Sequence, residues 1–437
     1  MSEVNAQPRD LNINVHHLTR VEGHGNIVVN ATNGEVVDAK FEIVESPRFF
    51  EAMLKGRSWQ EAQFITSRIC GICAVGHTST SLQGTEMALG IELSEQAHLL
   101  RKTIFFAEQL QSHILHTYFL VAPDFVGAPS VIPLASSAPD VVVRALKLKK
   151  LANHICEVIA GRHVHPIAMV PGGFAKYPST RELKTLKEKI LSFSGDIDET
   201  VKLFASFQVP DFQRETEYVS LKHPNEYAFY EGDIYSSDTR KGVKNMDYRS
   251  LIKEKVVDWS TSKHCSATRD AYAVGALARF NNNYDLLHPR AKRAAEQIGI
   301  EAPSYNTYHY NHAQVVEIVH CFEETAAYLD RLIEMGMDVD EKPGEPARMS
   351  GHGVGACEVP RGLLIHDYTY EDGSIKDANL IIPTGMNLAN MDADLRALAP
   401  KVFGKPHEEA ELAMEMLIRA YDPCISCSCH LLHVEWV

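Results

Sequence analysis

Two stretches of the chain have the pattern of β-hairpins, in which residues common in strands flank a two-residue turn. The first runs from Asn26 to Val44, with its turn at Asn33-Gly34. The second runs from about Gly362 to Ile382, with its turn at Asp372-Gly373. Both hairpins are antiparallel and short, so they can form only small sheets.

Long helices are predicted for much of the remaining chain, because apolar residues recur there every three or four positions. Ser94 can cap the first helix, which we expect to end before Pro123. The three predicted helices cover residues 95–121, the segment from Asp140 to about Gly161, and the segment from Asn311 to about Gly336. The sequence therefore predicts an α+β fold dominated by helices, with a central bundle of long helices and small antiparallel hairpins.

The 437 residues contain no repeat and no low-complexity linker, which favours one interlocked domain over residues 1–437. We expect it to comprise an N-terminal hairpin region at about 12–46, a helical core at about 50–340, a hairpin at about 360–384 and a C-terminal segment at 385–437.

Composition narrows the class of protein. Apolar residues make up 45% of the chain and charged residues 23%, which excludes a wholly disordered protein. The net charge of −14 argues against nucleic acid or an anionic membrane as the main partner. No apolar run reaches the roughly 18 residues of a membrane span. The polar start, MSEVNAQPRDLN, lacks a signal-peptide core, so we expect a cytoplasmic protein.

The cysteines point to metal or redox chemistry. There are nine, and an odd number without an export signal argues against a disulfide framework. Four form two Cys-x-x-Cys pairs, Cys70 with Cys73 and Cys424 with Cys427. Such thiolates can chelate zinc, iron–sulfur or another soft-ligand metal. A zinc knuckle or a redox dithiol would explain either pair alone.

The surroundings of the pairs argue against both simple explanations. Zinc ribbons keep their two pairs close in sequence, whereas here most of the chain separates them. Arg68 precedes the first pair and His77 follows it, while Asp422 precedes the second pair and His430 follows it. A histidine near a ligating thiolate is a reasonable hydrogen-bond donor to it.

These two blocks closely resemble those of nickel–iron hydrogenase large subunits, Arg-x-Cys-Gly-x-Cys-x-x-x-His and Asp-Pro-Cys-x-x-Cys-x-x-His. Similar stretches extend along the chain at residues 20–24, 161–166, 274–279, 360–362 and 383–384. The length and the ending Asp-Pro-Cys-Ile-Ser-Cys-Ser look most like the soluble, bidirectional cytoplasmic group, which includes the sulfhydrogenase-type enzymes. The resemblance implies the nickel–iron hydrogenase large-subunit fold.

The resemblance also implies a ligand set. Cys73 and Cys427 would bridge nickel and iron, and Cys70 and Cys424 would bind nickel alone. The iron would carry one carbon monoxide and two cyanides. Five further residues would surround this centre: His77, Pro360, Pro383, Thr384 and Asp422. A magnesium or iron ion near the C-terminus would be bound by Glu51, the carbonyl of Leu380 and His430.

The charge of the metal site and the proton released from dihydrogen indicate three candidate catalytic residues: Arg361, Cys424 and Glu22. Thiolates and cyanides outweigh the metal charges, and a buried site needs compensation. Arg361 is the best candidate, because a guanidinium stays charged when desolvated. Pairing along the second hairpin would place Thr384 opposite Arg361, where its hydroxyl could donate to a cyanide. Heterolytic cleavage of dihydrogen needs a base, which could be Cys424 or Arg361, and Glu22 resembles the family's proton-relay carboxylate.

The implied function is that of the catalytic large subunit of a cytoplasmic nickel–iron hydrogenase. The chain has too few clustered cysteines for an iron–sulfur relay, so a small subunit with iron–sulfur clusters would be an obligate partner. Further electron-transfer subunits, such as a flavoprotein or a heterodisulfide reductase module, would determine the final electron acceptor. The candidate acceptors are NAD(P), a deazaflavin, polysulfide and the heterodisulfide reductase module itself. A maturation protease and nickel chaperones are further expected partners.

Two alternatives remain at this point. One is a dihydrogen sensor built on the same site. The other is a non-catalytic scaffold, either zinc-stapled or like the structural relatives in complex I, although those relatives lack the four thiolates.

Three features depart from the family pattern. Ser112 stands where many uptake enzymes carry aspartate, Cys429 adds a third thiol to the C-terminal pair, and Leu431 to Val437 follow the histidine after which the chain is commonly cut. We expect core positions for four cysteines: Cys156, Cys265, Cys321 and Cys357. We expect structural hydrogen bonds at His113 and His116, and a partner-facing surface at His163 and His165.

Overall fold

The computed structural model describes residues 10–430, and helices outweigh strands in it. The helices are α1 Phe50–Leu54, α2 Ala62–Thr66, α3 Ala74–Leu89, α4 Glu95–Ile114, α5 Ala122–Phe125, α6 Val131–Ser137, α7 Pro139–Ala160, α8 Thr180–Leu191, α9 Ser194–Ala205, α10 Ala276–Asn283, α11 Pro289–Ile298, α12 His309–Met335, α13 Pro383–Val402, α14 His407–Ala420 and α15 Ile425–Ser428. The strands are β1 Leu11–Val15, β2 Gly25–Thr32, β3 Glu35–Ile43, β4 Met169–Val170, β5 Gly173–Phe174, β6 Glu217–Lys222, β7 Asp233–Ser236, β8 Lys241–Val243, β9 Lys253–Lys255, β10 His264–Ser266, β11 Tyr272–Ala273, β12 Gly351–Val359, β13 Gly362–Glu371 and β14 Ser374–Ile381.

The three predicted long helices are confirmed as α4, α7 and α12, and α4 packs against both of the others. The Ser94 hydroxyl caps α4 by accepting the Ala97 N–H at 3.1 Å. After α4 the chain continues as a π-helical segment, Leu115–Val121, before α5 begins. Gly161 ends α7 in a left-handed conformation that suits glycine. These helices form the buried centre of the molecule.

The predicted N-terminal hairpin is confirmed as β2 and β3, and β1 extends it to a three-stranded antiparallel sheet. Asn33 and Gly34 both have positive φ, as the tight turn requires. The sheet packs on α13, which ties the N-terminal region to the C-terminal one.

The second hairpin, β13 and β14, is also present, but its register differs from the prediction near its ends. Tyr370 pairs with Ile375 as expected, and the register then shifts by one, so that Ile365 pairs with Ile381. The predicted pairing of Arg361 with Thr384 is therefore wrong. A β-bulge, invisible in the residue pattern, causes the shift, and Thr384 lies in the first turn of α13.

Strand β12 joins this hairpin and brings it close to α3. A Cβ atom on Gly355 would lie 2.0 Å from the Thr80 carbonyl oxygen, and one on Gly353 would lie 2.3 Å from the Gly84 oxygen. Only glycine allows the strand to approach the helix this closely. The contact fixes α3, which begins directly after Cys73.

Sequence patterns also missed a four-stranded sheet in the order β11-β6-β7-β8, in which β11 and β6 are parallel. Two two-stranded sheets, β9 with β10 and β4 with β5, complete the strand pairing of residues 10–430. Within the same range, no helix combines the length and apolar character needed to cross a membrane.

A buried ion network holds the loop between β12 and β13. Arg279 on α10 binds Glu317 on α12 at 2.6 Å and Glu358 on β12 at 3.0 Å, and all three side chains are fully buried. The Arg279 Nη2 that binds Glu317 also donates to the Pro360 carbonyl at 3.0 Å. The network thereby positions the backbone next to Arg361, a predicted site residue.

Candidate metal centre

The N-terminal cysteine pair lies in a turn that leads into a helix. Cys70 follows a short 3-10 helix, and Cys73 is the N-cap residue that directly precedes α3. The Cys70 sulfur accepts the N–H groups of Ile72 at 3.2 Å and Cys73 at 3.3 Å. Backbone donors and a helix N-terminus both favour the thiolate form of a cysteine.

The C-terminal pair is anchored to the N-terminal region. Asp422 adopts a left-handed conformation that turns the chain after α14. Cys424 precedes α15 and Cys427 lies within it. Ile425 donates its N–H to the Glu22 carbonyl at 2.9 Å, and Glu22 forms a parallel β-bridge with Cys424.

The four predicted sulfurs meet in one buried cluster. Cys70 and Cys424 have their sulfurs 3.6 Å apart, and those of Cys73 and Cys427 are 3.8 Å apart. All four lie within 4.8 Å of one another, and each residue is at most 5% exposed. Among residues 10–430, this is the only group of three or more histidine, cysteine or acidic side chains placed to hold a metal.

The thiols of this cluster do not share one protonation tendency. Hydrogen bonds from the other three cysteines, with help from Arg361, hold the pKa of Cys70 well below its ordinary value. Burial raises the pKa values of Cys424 and Cys427 well above theirs. Four thiolates cannot persist together in a buried space without cations, and a pair of divalent metals supplies those cations.

Arg361 is buried and bound to Asp422 rather than to Thr384. Its Nε donates to the Asp422 carbonyl at 2.7 Å, and its Nη2 donates to Oδ1 of Asp422 at 2.9 Å. Its Nη1 has no hydrogen-bond partner among the described residues. Burial alone would lower the pKa of Arg361, but Asp422 and the cysteine thiolates raise it well above its ordinary value. Arg361 is therefore a permanent cation beside the cluster.

Glu22 and Thr384 both touch Cys424. The Cys424 sulfur lies 3.2 Å from Oε2 of Glu22, which also accepts the Ser426 N–H at 3.2 Å. Glu22 is half-buried, so its carboxylate joins the cluster to the surface. The Thr384 hydroxyl accepts the Cys424 N–H at 2.9 Å, which leaves its own proton free to donate.

His77 is near the cluster but hydrogen-bonds away from it. Its Nδ1 lies 3.3 Å from Nε2 of His366, and burial lowers its pKa to about 4, so the ring is neutral. His366 in turn lies 2.8 Å from the Tyr368 hydroxyl.

Three other contacts at the site were not predicted. Arg48 donates to the Ile69 carbonyl at 2.6 Å and to the Ser426 carbonyl at 3.1 Å, so it joins the two cysteine segments. Gln314 donates to Asp422 at 3.2 Å. Arg48 and Gln314 lie far from the cysteines in sequence, so no local pattern marks them.

Two of the three residues expected to bind a second metal line a small cavity, and the third, Glu51, contacts one of them. Leu380 and His430 both line it, together with Lys263 and Glu254. Neither ring nitrogen of His430 has a hydrogen-bond partner among the described residues, and burial lowers its pKa to about 3. Glu51 accepts the Leu380 N–H at 2.9 Å. A neutral histidine without a hydrogen-bond partner is a suitable metal ligand, and the Leu380 backbone lies between it and Glu51 as a lining residue of the same cavity and a partner of that carboxyl group.

The structure also shows the positions of the other cysteines and histidines considered in the sequence. The four cysteines expected in the core are buried: Cys156, Cys265, Cys321 and Cys357. His113 binds Glu317 at 2.8 Å and His116 binds Gln314 at 2.6 Å, so structural hydrogen bonding is confirmed.

Cys429 is buried outside the four-sulfur cluster, and its thiol donates to the Ile425 carbonyl at 3.2 Å. His163 is exposed and His165 half-buried; their role at a partner surface stays a prediction. Leu431 to Val437 lie outside the described residues.

Comparison with known proteins agrees with this site. The family model described as nickel-dependent hydrogenase matches residues 48–141 and 213–430, and a model described as HoxL-like matches residues 12–46. Subunit alpha of sulfhydrogenase 1 from Pyrococcus furiosus is 33% identical over 427 residues, covering 97% of this chain and 99% of that one. Subunit beta of the NAD-reducing hydrogenase HoxS from Cupriavidus necator is 30% identical over 460 residues, covering 95% and 94%.

Solved structures show the same fold. The structure of an NAD+-reducing NiFe hydrogenase in the H2-reduced state matches with a TM-score of 0.87 at 28% identity, over 97% of this chain and 100% of that one. A NiFeSe hydrogenase from Desulfovibrio vulgaris Hildenborough matches with a TM-score of 0.81 at 24% identity, over 97% and 100%. The predicted fold class is confirmed.

Four convergent thiolates inside this fold define the metal-binding large subunit of a hydrogenase. The chain belongs to the nickel-dependent hydrogenase family. It is an oxidoreductase that acts on dihydrogen and binds a nickel–iron centre through cysteines, and its relatives, which are subunits of multi-subunit hydrogenases, imply a small-subunit partner.

Proposed function

We propose that Cys73 and Cys427 bridge nickel and iron, and that Cys70 and Cys424 bind nickel alone. In support of this division, each role takes one thiol from each end of the chain, with sulfurs 3.6 Å apart for Cys70 and Cys424 and 3.8 Å apart for Cys73 and Cys427. The sulfurs of Cys424 and Cys427 lie closer still, at 2.6 Å, so the division comes from the family resemblance and not from the sulfur distances.

One carbon monoxide and two cyanides would complete the coordination of the iron. We propose that three buried residues surround these ligands: Pro360, Pro383 and Thr384. The Thr384 hydroxyl could donate its free proton to the nitrogen of one cyanide.

The contact between Cys424 and Glu22 is the observation that carries the proposed catalytic role. When bound, the nickel–iron centre supplies the heterolytic cleavage of dihydrogen. Cys424 takes the proton that this cleavage releases. Glu22, 3.2 Å away and half-buried, receives it and passes it outward. The Ser426 N–H holds the Glu22 carboxylate in place.

Arg361 has an electrostatic and positioning role in this proposal. Its bond to Asp422 leaves Nη1 unpaired and buried. A fixed cation next to the thiolates offsets their negative charge without rearranging during turnover. Because Asp422 shares that charge, Arg361 alone does not neutralise the whole site.

We propose that electrons leave through a partner subunit with iron–sulfur clusters. Support comes from the remaining cysteines, which form no second group with metal-ligand spacing within residues 10–430. A flavoprotein partner would pass electrons to NAD(P), a deazaflavin or polysulfide, and a heterodisulfide reductase module would be a further possible acceptor. The relatives named as a sulfhydrogenase and as an NAD-reducing hydrogenase favour polysulfide and NAD.

A magnesium or iron ion is proposed at Glu51, the Leu380 carbonyl and His430. The unpartnered nitrogens of His430 support this site.

A maturation protease and nickel chaperones would assemble the enzyme. A cytoplasmic location is supported by the nine cysteines, all unbridged. One domain is supported by a cluster that joins both ends of the chain.

Replacing Glu22 by glutamine should lower dihydrogen turnover by about 100-fold or more, because an amide cannot carry the proton away from Cys424. Glutamine keeps the size and can still accept the Ser426 N–H, so the metal centre should assemble. Turnover with an artificial electron acceptor, together with nickel and iron content, tests this expectation.

Glu45→Gln is the matched control. Glu45 lies beside the same loop and accepts the His24 N–H at 2.8 Å, without a hydrogen bond to any of the four cysteines. It should keep full turnover. Equal activities of Glu22→Gln and the wild type would remove Glu22 from the proton path.

A further inference from the structure

The carboxylate of Asp422 has a second partner besides Arg361. Arg361 donates to Oδ1 of Asp422 from Nη2 at 2.9 Å and from Nε at 3.1 Å. The other carboxylate oxygen, Oδ2, accepts a hydrogen bond from Nε2 of Gln314 on α12 at 3.2 Å. Asp422 and Gln314 are each 2% exposed, so bulk water does not compete for these bonds. A chain of buried polar groups therefore begins at Arg361 and continues into α12.

The chain continues to His116, which lies on the π-helical segment Leu115–Val121 and is 1% exposed. Its Nδ1 lies 2.6 Å from Oε1 of Gln314, and its Nε2 lies 2.8 Å from the carbonyl oxygen of Arg419 at the end of α14. The same Nε2 is 3.9 Å from Oδ1 of Asp422. Both ring nitrogens of His116 are therefore in hydrogen-bond contact with oxygen atoms.

The charge of Asp422 determines which way the Gln314 amide points. Asp422, paired with Arg361, is a carboxylate, and a carboxylate only accepts hydrogen bonds. Gln314 must therefore present its NH2 group to Asp422 and its carbonyl oxygen to His116. Turning the amide over would place two oxygen atoms 3.2 Å apart with no proton between them.

This orientation also determines the protonation of His116. Its two nitrogens face two acceptors, the Gln314 carbonyl and the Arg419 carbonyl. A neutral imidazole has one N–H, so one of the two contacts would join a nitrogen lone pair to an oxygen. An imidazolium donates to both oxygens, and the Asp422 carboxylate compensates its charge.

Other charges near His116 do not replace this compensation. Helices α5, α7, α12 and α14 all pack against the π-helical segment. Charged side chains on these helices are already paired elsewhere: Asp124 and Glu415 with Arg419, Glu317 with Arg279, and Arg144 with Asp196.

We propose that His116 and Gln314 are positioning residues, through which a buried imidazolium holds Asp422 and Arg361 in place beside the metal site. Arg361 and Asp422 alone carry no net charge. With the His116 imidazolium, the group carries one positive charge in a fixed arrangement next to the thiolates. The inference rests on the proposed electrostatic role of Arg361 and explains how that role survives the pairing with Asp422.

The first test replaces Gln314 by methionine in the complete enzyme complex, because methionine keeps the length of the side chain and removes the amide. We expect the metals to stay bound and turnover to fall about 10-fold, as for the loss of one hydrogen bond to a charged group. The infrared bands of iron-bound carbon monoxide and cyanide should shift, since Arg361 is no longer held in place. A purely structural role would lower thermal stability and leave those bands unchanged.

Gln96→Met is the matched control. Gln96 on α4 is also a buried glutamine, and its amide bonds the backbone of Asp338 as donor at 3.0 Å and as acceptor at 3.1 Å. It has no hydrogen bond to Asp422, Arg361 or the four cysteines. This variant should keep wild-type turnover and wild-type infrared bands.

The second test addresses the charge of His116. In His116→Asn, the asparagine amide can still donate to Gln314 but carries no charge. The carbon monoxide band should move to lower wavenumber, because loss of a positive charge leaves more electron density on the iron. Nitrogen NMR of the histidine-labelled complex at about pH 8, where ordinary histidines are neutral, should contain a ring with both nitrogens protonated that is absent from His116→Asn. His116→Gln serves the same purpose if His116→Asn does not assemble.

Unchanged turnover and infrared bands in Gln314→Met, at equal metal content, would exclude the positioning role. A His116 ring with a single proton would exclude the imidazolium, and this NMR measurement does not require bound metals. Both results differ from failure of the proposed function. In that case Arg361→Lys, with metals bound, would itself keep full turnover.

Discussion

Replacing Cys427 by serine should abolish dihydrogen exchange with D2O and remove nickel from the protein. Cys427 lies 3.8 Å from Cys73, and together they are the proposed bridge between the two metals. A serine hydroxyl is a harder ligand that is protonated at neutral pH, so it does not replace a soft thiolate. Exchange measured by mass spectrometry, with nickel and iron analysis of the same sample, tests this result.

Cys429→Ser is the matched control for this variant. Cys429 is also buried, two residues further along, but it bonds to the Ile425 carbonyl and lies outside the four-sulfur cluster. We expect it to keep nickel and exchange. Full exchange in Cys427→Ser would show that Cys427 is not a ligand.

Replacing Arg361 by lysine should leave the metals bound but lower turnover by at least about 100-fold, in the range seen when one fixed electrostatic donor is lost. Arg361 uses Nε and Nη2 for Asp422 and directs a third nitrogen elsewhere. A single ammonium cannot reproduce this planar arrangement, so the variant keeps the charge but loses its position.

Arg269→Lys is the corresponding control. Arg269 also binds an aspartate through two nitrogens, with its Nε 2.6 Å from Asp238, but its side chain is 39% exposed and makes no hydrogen bond to any of the four cluster cysteines. It should keep wild-type turnover. Full turnover in Arg361→Lys, at equal metal content, would exclude a role for the guanidinium.

Local patterns in the sequence predicted much of this structure. The caps and periodicity of α4, α7 and α12 act within a few residues, so they can be read without knowing the fold. The turns at Asn33-Gly34 and Asp372-Gly373 are local in the same sense. The four cysteines were identified because each pair carries its own flanking residues.

Other features depend on contacts between distant segments. Strand β12 exists because its glycines let it approach α3, and no alternation of polar residues marks it. The bulge at Lys376 in β14 breaks the register that would have paired Thr384 with Arg361, and Asp422 is the partner of Arg361 instead. Arg48 joins the two cysteine segments, yet its neighbours in sequence contain no sign of this role.

The buried groups on α4 show a different limit. The sequence marks Ser112 only as a departure from the family pattern, and no sequence pattern marks Glu108. An acidic residue in a helix is usually exposed, so only its burial against α3 identifies Glu108 as unusual.

Metal analysis and infrared spectroscopy of the intact complex test the central claim most directly. The account predicts near-equal amounts of nickel and iron bound to this chain, apart from the iron of partner clusters and of any ion at His430. It also predicts infrared bands from iron-bound carbon monoxide and cyanide. Zinc in the four-cysteine site, without those bands, would contradict it.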